Sequence, residues 1–206
     1  RPTFGKIGRF DPDRNWLRAV DAIAELHATG INARLIMRGR YNEPAEMILS
    51  HAYARGLSTD RLDYDGIDGH KLIAVIARAD TPIIYIHTFV DEPTLSALYA
   101  AADAVLARSG REPFGLVGLE AIAAGGLVVC GPTNEEYAEP FVNAIVCDTS
   151  DGRDLAAYLR VLLANPTFAH EMRRVGAETG ERYSWSHVLA ILDLKIAYID
   201  ALMSGV

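Results

Sequence analysis

The sequence lacks several features that would narrow the function of a protein at once. It has only 2 cysteines, Cys130 and Cys147, both in apolar strand-like runs without metal-type spacing. This pattern favours buried, reduced thiols over a disulfide framework or a zinc site. No apolar run approaches the roughly 20 residues that span a bilayer, and the opening RPTFGKIGRF has no apolar signal-peptide segment. We therefore expect a cytoplasmic protein without a transmembrane segment.

Familiar catalytic and binding motifs are also missing. No predicted strand is followed by a Gly-x-x-x-x-Gly-Lys loop or a Gly-x-Gly-x-x-Gly fingerprint, which disfavours a P-loop or an ordinary dinucleotide fold. There is no Gly-x-Ser-x-Gly nucleophile elbow. The 6 histidines form no metal-like cluster, and the acidic residues make no calcium loop. We expect no bound metal and no required cofactor.

Composition indicates an ordinary soluble globular chain. Of its 206 residues, 50% are hydrophobic and 23% are charged, and the net charge is -7. An acidic balance argues against non-specific binding to nucleic acid or to an anionic membrane, although a local basic patch can still bind a small anion.

Short apolar strands alternate with helical patterns along the whole chain. This alternation predicts an α/β fold, a doubly wound Rossmann-like parallel sheet covered on both faces, in a single domain over residues 1–206. The predicted strands are Phe4 to Gly8, Ala33 to Met37, Leu62 to Tyr64, Ile83 to Ile86, Ala104 to Ala107, the run ending at Cys130, and Ala144 to Val146. A terminal helix from Trp185 to Met203 carries a stripe that predicts core packing: Trp185, Val188, Leu189, Leu192 and Ile196.

In such sheets a ligand binds outside the carboxyl ends of the strands, where the strand order reverses. The loops expected at that edge are Arg9 to Arg14, Gly39 to Glu43, His87 to Glu92, Arg108 to Gly115 and Gly131 to Glu136. They hold most of the polar residues that have no evident structural role, so function is to be sought there.

Two arginines flank a tight turn in the first of these loops. Arg9 follows Gly8 directly, and Arg14 stands five residues later, near the start of a helix. Guanidinium groups match phosphate oxygens, and a helix N-terminus adds free N–H donors. The alternative is that both arginines are solvated or paired with Asp11 and Asp13.

Two glutamates mark the stretch AVLARSGREPFGLVGLEAIAAGGLVVC, which reads as strand, loop, helix and strand. Glu120 stands within an apolar helix that we expect to be buried on most sides, so its carboxylate needs a partner. Glu112 precedes the helix, whose first N–H groups, from Phe114 to Val117, suit an anion. The alternative for Glu112 is an acid that stabilises the helix dipole.

Three segments of the chain together resemble the retaining glycosyltransferases of family 4. They are GRFDPDRN, LYAAADAVLARSGREPFGLVGLEAIAAGGLVV and RYSWSHV. They are similar to the C-terminal, donor-binding half of that two-domain GT-B fold. The Glu, seven residues, Glu pattern is the most specific part of the match.

The resemblance implies a role for each matching residue. Gly8, Arg9 and Arg14 would bind the donor diphosphate, Glu112 would approach the transferred sugar, and Glu120 would bind the ribose diol. The backbone from Phe114 through Gly115 and Leu116 to Val117 would contact sugar hydroxyls and phosphate, and the base would lie by Ile86 to Phe89, including Thr88. The donor implied is a UDP-sugar or a GDP-sugar.

The sequence departs from the family pattern at three positions. Arg14 stands where the family most often has Lys, Thr88 where Gly is common, and Gly126 where Pro is usual. The family's N-terminal acceptor-binding half is absent, so we expect the chain to bind donor but to be inactive alone. The full enzyme is expected to associate peripherally with a membrane. A sugar-nucleotide epimerase, a phosphorylase and a non-catalytic nucleotide-binding domain remain as alternatives.

Overall fold

A computed structural model describes residues 1–40, 42–63, 69–107, 114–132, 136–148 and 151–204. Within these residues the seven strands are β1 (Thr3–Ile7), β2 (Arg34–Arg38), β3 (Thr59–Leu62), β4 (Ile83–Ile86), β5 (Ala104–Leu106), β6 (Val128–Cys130) and β7 (Ile145–Val146). The eight α-helices are α1 (Trp16–Ala28), α2 (Glu43–Ala54), α3 (Gly69–Arg78), α4 (Glu92–Ala101), α5 (Leu116–Ala123), α6 (Gly152–Ala164), α7 (Pro166–Arg182) and α8 (Trp185–Met203). A short 3-10 helix, Pro12–Arg14, precedes α1.

The strands form one parallel sheet in the order β3-β4-β2-β1-β5-β6-β7. In register, Phe4 of β1 lies opposite Leu35 of β2 on one side and Ala104 of β5 on the other. The chain winds outward from β1 to β2, and later returns to place β5 on the opposite side of β1. The strand order therefore reverses between β1 and β5, which confirms the predicted doubly wound α/β fold.

Helices cover both faces of the sheet, as the near-continuous apolar strands require. On one face the core joins α1, α2 and α6 through residues such as Ile23, Ile48 and Leu159, all almost fully buried. On the other face, Leu72 of α3 and Leu98 of α4 belong to one buried cluster, and α4 and α5 share a second. The carboxyl ends of the strands stay uncovered by these layers.

Helices α2 and α4 both begin with an N-cap side chain and a proline in the first turn. Pro44 lies in the first turn of α2, whose N-cap Asn42 accepts a hydrogen bond from Ala45 N. Asp91 caps α4 in the same way, with Pro93 in the first turn. Both arrangements satisfy N–H groups that a helix start leaves without partners.

Strand β3 was placed wrongly from the sequence. The prediction was Leu62 to Tyr64, whereas the strand runs over Thr59–Leu62, carries the polar sequence TDRL and ends before Asp63; Tyr64 lies outside the described residues. It pairs only with β4, at the edge of the sheet. An edge strand needs little apolar surface, so its sequence carries no strong strand pattern.

The predicted core role of α8 is wrong. None of its residues is buried, and Trp185 and Ile196 from the predicted stripe are 81% and 56% exposed. The helix begins where α7 ends and makes few contacts with it. Apolar periodicity identifies an apolar face but does not identify what covers it. None of the described helices meets the length and apolarity needed to cross a bilayer.

Candidate functional site

The carboxyl ends of β1, β2 and β4 are tied together by backbone hydrogen bonds. Gly8 N donates to Arg38 O at 3.0 Å, and Gly39 N donates to Ile86 O at 3.1 Å. Gly39 is required there, because a Cβ atom on it would lie 2.5 Å from Gly8 O and 2.6 Å from Phe10 Cε2. The three loops that follow these strands therefore leave the sheet from a fixed platform.

These loops line a cavity of about 470 Å³, the strand-edge cavity. Its walls are formed by Gly8, Arg9, Arg38, Arg40, His87, Thr88 and Phe89. Three guanidinium groups thus share one concave surface with an aromatic ring, Phe89, that is 74% exposed. Its size suits a small molecule, and its charge suits an anion.

The two arginines predicted from the sequence differ in their surroundings. Arg9 is 78% exposed, and its Nε lies 3.1 Å from Asp11 Oδ2. An exposed pair of this kind contributes little to stability, so an incoming anion can compete for the guanidinium. Arg14 ends the short 3-10 helix and is half-buried. Among the described residues, Arg14 is not part of the wall of the strand-edge cavity.

A buried lysine lies where β1 and β5 diverge. Lys6 is 3% exposed, and its Nζ donates to Leu106 O at 3.0 Å, at the end of β5. The same Nζ stands 5.2 Å from the centre of the Trp16 ring, and Trp16 Nε1 donates to Arg9 O at 2.9 Å. Lys6 therefore adds positive charge close to the backbone that carries Arg9.

Arg38, the last residue of β2, is half-buried, and its Nε is buried without a hydrogen-bond partner among the described residues. Ile36, two residues earlier, packs in the cluster with α3 and α4. Alternation along the strand places Arg38 on the same side of the sheet. A buried donor without a partner costs free energy, which a ligand that accepts its hydrogen bond can recover.

Two residues at the edge of the sheet, Arg61 in β3 and Asp63 just after it, lie beside the His87 ring. Arg61 Nη2 donates to His87 Nε2 at 2.9 Å, which places the ring proton on Nδ1. Nδ1 lies 3.2 Å from Asp63 Oδ1 but is not in hydrogen-bond geometry with it. His87, the first residue of the expected loop His87 to Glu92, lies on the wall of the strand-edge cavity.

The start of α5 is fixed by an aromatic cluster. Gly115 is the N-cap and has a left-handed φ of 73°, which favours glycine. Its carbonyl accepts a hydrogen bond from Tyr137 Oη at 2.6 Å. Phe114 packs edge-on against Tyr137 and Tyr183, with ring centres 5.9 Å and 6.0 Å away. The first N–H groups of α5, at Leu116 and Val117, are thereby held in one orientation.

Glu120 is exposed, which corrects the expectation that an apolar α5 is buried on most sides. The helix buries only Gly118, Ala121 and Ile122, whereas Leu116 is 60% exposed. The predicted need for a partner is nevertheless met, since Tyr99 Oη donates to Glu120 Oε2 at 3.2 Å. Burial, then the Glu120 carboxylate, raises the pKa of Tyr99, while the charge of Arg38 acts in the opposite direction.

Glu120 lines a second cavity, of about 300 Å³, between α4 and α5. The other residues of this α4–α5 cavity are Glu92, Leu95, Ser96, Tyr99, Ala123 and Ala124. The charge of Arg38, on the wall of the strand-edge cavity, acts to lower the pKa of Tyr99, on the wall of the α4–α5 cavity. Among the described residues, the Glu120 carboxylate accepts one hydrogen bond, from Tyr99 Oη. Its remaining acceptor capacity can serve a second partner.

The structure thus brings Gly8, Arg9 and Thr88 together in the strand-edge cavity and places Glu120 in the separate α4–α5 cavity. Glu112 lies outside the described residues. Sequence analysis missed Arg38 and Arg40, although both flank a glycine directly after an apolar strand. That pattern, a charged residue at the carboxyl end of a buried strand, was the available signal.

No group of three or more metal-ligating side chains is found in the described part of the chain.

Cys130 and Cys147 are both buried, as predicted.

The fold and this site define a class of α/β protein with an arginine-lined cavity at the carboxyl ends of its parallel strands. Comparison with known proteins identifies the family. Residues 1–179 match the family of glycosyl transferases group 1, so the chain belongs to that family.

Curated relatives are distant and longer. A GDP-mannose-dependent alpha-(1-6)-phosphatidylinositol dimannoside mannosyltransferase of Mycobacterium tuberculosis is 24% identical over 183 residues, covering 89% of this chain and 40% of the relative. A D-inositol 3-phosphate glycosyltransferase of Nocardioides is 28% identical over 188 residues, covering 87% of this chain and 38% of the relative. The chain spans about two fifths of the length of these relatives.

Solved structures share the fold. A glycosyltransferase of Rickettsia africae superposes with a TM-score of 0.72 at 16% identity, over 95% of this chain and 46% of that one. Anabaena HepE, determined in complex with UDP-glucose, gives a TM-score of 0.67 at 17% identity, over 99% of this chain and 49% of that one.

Proposed function

We propose that this chain is the donor-binding half of a retaining glycosyltransferase and binds a nucleoside diphosphate sugar. The observation that carries the proposal is the strand-edge cavity, where Gly8, Arg9 and Thr88 meet at the carboxyl ends of β1 and β4. A second support is Glu120, a carboxylate that accepts a hydrogen bond from Tyr99 in the α4–α5 cavity.

The chemistry of a sugar nucleotide suits these groups. Its diphosphate is an anion that guanidinium groups and a helix N-terminus can bind. Its ribose carries two neighbouring hydroxyls, which can donate hydrogen bonds to one carboxylate such as that of Glu120. Two related proteins have donors of the same class: the mycobacterial relative is GDP-mannose-dependent, and Anabaena HepE was determined in complex with UDP-glucose.

In glycosyl transfer, the bond between sugar and diphosphate breaks as positive charge develops on the sugar. The leaving diphosphate needs positive charge at that moment, which Arg9, Arg14 and the start of α5 would supply. Glu112 is proposed to approach the transferred sugar, where a carboxylate favours the developing positive charge. Transfer to an acceptor with retention is proposed for an enzyme that also contains an acceptor-binding half.

Calorimetry tests donor binding directly. The chain is titrated with UDP, GDP, ADP and pyrophosphate, and binding of at least one nucleotide below millimolar concentration is expected. Absence of binding by all the nucleotides at that concentration would overturn the proposal.

The Glu120→Gln variant tests the ribose assignment. It removes the charge of the carboxylate but keeps its shape, so nucleotide affinity should fall about tenfold, the equivalent of one charged hydrogen bond. Pyrophosphate affinity should not change, because pyrophosphate has no ribose. Glu46→Gln, an exposed glutamate on α2, is the matched control and should leave both affinities intact. Equal losses for nucleotide and pyrophosphate would refute the assignment.

Glu112→Gln tests the sugar assignment. In a protein that also contains the acceptor-binding half, hydrolysis of the donor sugar should be lost, whereas the affinity for the nucleotide alone should be retained. A variant that hydrolyses donor at the original rate would show that Glu112 has no part in the reaction.

A further inference from the structure

Two arginines on the wall of the strand-edge cavity have no part in the proposed binding of diphosphate and ribose. Arg38 and Arg40 flank Gly39 at the end of β2, between the ends of β1 and β4. We propose that they read the base of the nucleotide and make guanine the preferred base. This inference rests on the proposed function and adds to it the class of donor, a GDP-sugar.

The position of these arginines relative to the other groups supports a role at the base. Phe89 and Thr88 lie on the same cavity wall, after β4. Phe89 is 74% exposed, and an exposed aromatic ring in a cavity is a surface on which a base can stack. Arg9, which follows β1, lies on the side of β2 that faces the strand-order reversal. The β2 and β4 loops are therefore the part of the cavity away from that reversal.

The second support is the unused hydrogen-bonding capacity of Arg38. Its Nε is buried and has no hydrogen-bond partner among the described residues. Arg38 also lies on the side of the sheet where Tyr99 holds Glu120. A nucleotide whose ribose meets Glu120 would bring its base within range of a side chain of this length.

The chemistry of the bases then decides the preference. A guanidinium group only donates hydrogen bonds. Guanine presents two neighbouring acceptors, O6 and N7, which match the two donors of an arginine fork. Adenine presents N7 beside an amino donor, and uracil presents two carbonyls that are separated by an N–H donor, so neither offers two adjacent acceptors. Arginine therefore favours guanine over uracil and uracil over adenine.

His87 limits the alternatives for the neighbouring wall. Arg61 occupies its Nε2 at 2.9 Å, so this ring is fixed and its acceptor is already used. Its Nδ1 is a further buried donor without a hydrogen-bond partner among the described residues, whereas the guanidinium charge on this part of the wall belongs to Arg38 and Arg40. A bidentate arginine contact with guanine is worth about 5-fold to 150-fold in affinity.

The experiment measures affinities of the intact chain for GDP, IDP, UDP, ADP and 7-deaza-GDP by calorimetry, with pyrophosphate as the probe for the phosphate contacts. GDP and IDP, which share O6 and N7, should bind about tenfold more tightly than UDP, and ADP should bind most weakly. Removal of N7 in 7-deaza-GDP should cost affinity in the unaltered protein.

The variants Arg38→Gln and Arg40→Gln identify the residues. At least one should bring GDP, 7-deaza-GDP and UDP to similar affinities while leaving pyrophosphate binding unchanged. Arg78→Gln, an exposed arginine on α3, is the control and should preserve the preference. Should Arg38→Gln fail to fold, the exposed Arg40→Gln and the 7-deaza-GDP comparison in the unaltered protein still test the inference.

Three outcomes would overturn the inference. If both arginine variants weaken every nucleotide and pyrophosphate equally, the arginines bind phosphate and do not read the base. If UDP or ADP binds as tightly as GDP, guanine is not preferred, although the proposed donor-binding function stands. If no nucleotide binds, the proposed function itself fails, and the inference fails with it.

Discussion

Replacing Gly39 by alanine should both destabilise the fold and disturb the cavity, because Gly39 joins the ends of three strands. Its N–H donates to Ile86 O, and the new Cβ would lie 2.5 Å from the backbone oxygen of Gly8 and 2.6 Å from the Phe10 ring. Both neighbours are constrained, since Phe10 is fully buried against Trp16 and Tyr85. The strand ends must separate for the methyl group to fit.

The magnitude follows from two opposed effects. Overpacking a well-packed site typically costs about 1–3 kcal/mol. Alanine also restricts the unfolded chain, which offsets about 0.4–1 kcal/mol of that cost. The net loss should be about 1–2 kcal/mol, and for a domain of this size it corresponds to a fall in Tm of roughly 2–8 °C.

Urea unfolding followed by circular dichroism measures the loss. Gly5→Ala in β1 is the matched control, because its new Cβ would meet Ile7 Cδ1 at 3.6 Å, an ordinary contact. This control should retain the original stability or exceed it slightly. A Gly39→Ala protein as stable as Gly5→Ala would refute the reasoning that the strand ends form a rigid platform.

Three further predictions test other parts of the structure. Tyr137→Phe removes the hydrogen bond to the carbonyl of the α5 N-cap and should cost about 1 kcal/mol in urea unfolding, whereas Tyr53→Phe, at a side chain 63% exposed, should cost nothing measurable. Deleting the chain from residue 184 onward should change the unfolding free energy by less than about 1 kcal/mol, because α8 buries no residue. The deletion should also lower the binding of a dye to exposed apolar surface. A protein that unfolds on this deletion would contradict the structure. Burial, followed by the Glu120 carboxylate, raises the pKa of Tyr99 above its ordinary 10.0. The hydrogen bond from Tyr99 to Glu120 is therefore retained at pH 10 and is lost only as the pH rises through the raised pKa. Ultraviolet titration of the unaltered protein and of Tyr99→Phe should show no difference in phenolate absorbance at pH 10.

Much of the fold could be predicted from local patterns. Strand Ile83–Ile86 and helix Trp185–Met203 were located with their actual bounds, because an unbroken apolar run and a capped helical repeat are local signals. The motif between Ala104 and Cys130 likewise carries the family resemblance, which the match of residues 1–179 confirms.

The candidate site was predicted only in part. The loops after β1, β2 and β4 were located, since the carboxyl ends of parallel strands must meet at one edge. Arg38 and Arg40 were missed because their local signal, a charged residue at the end of an apolar strand, is weak and is shared by solvated arginines. Their position depends on β2 lying between β1 and β4, a pairing of segments some 30 to 50 residues apart in sequence.

The sequence by itself determined the alternation of strands and helices, the loops that carry polar residues, and the family. Tertiary structure decided which surfaces are covered. It left α8 exposed along its length, placed Glu120 at a surface beside Tyr99 instead of in the core, and brought Arg9, Arg38 and Arg40 around one cavity. The physical reason is that periodicity records the character of a face, whereas burial and convergence depend on packing between segments that are distant in sequence.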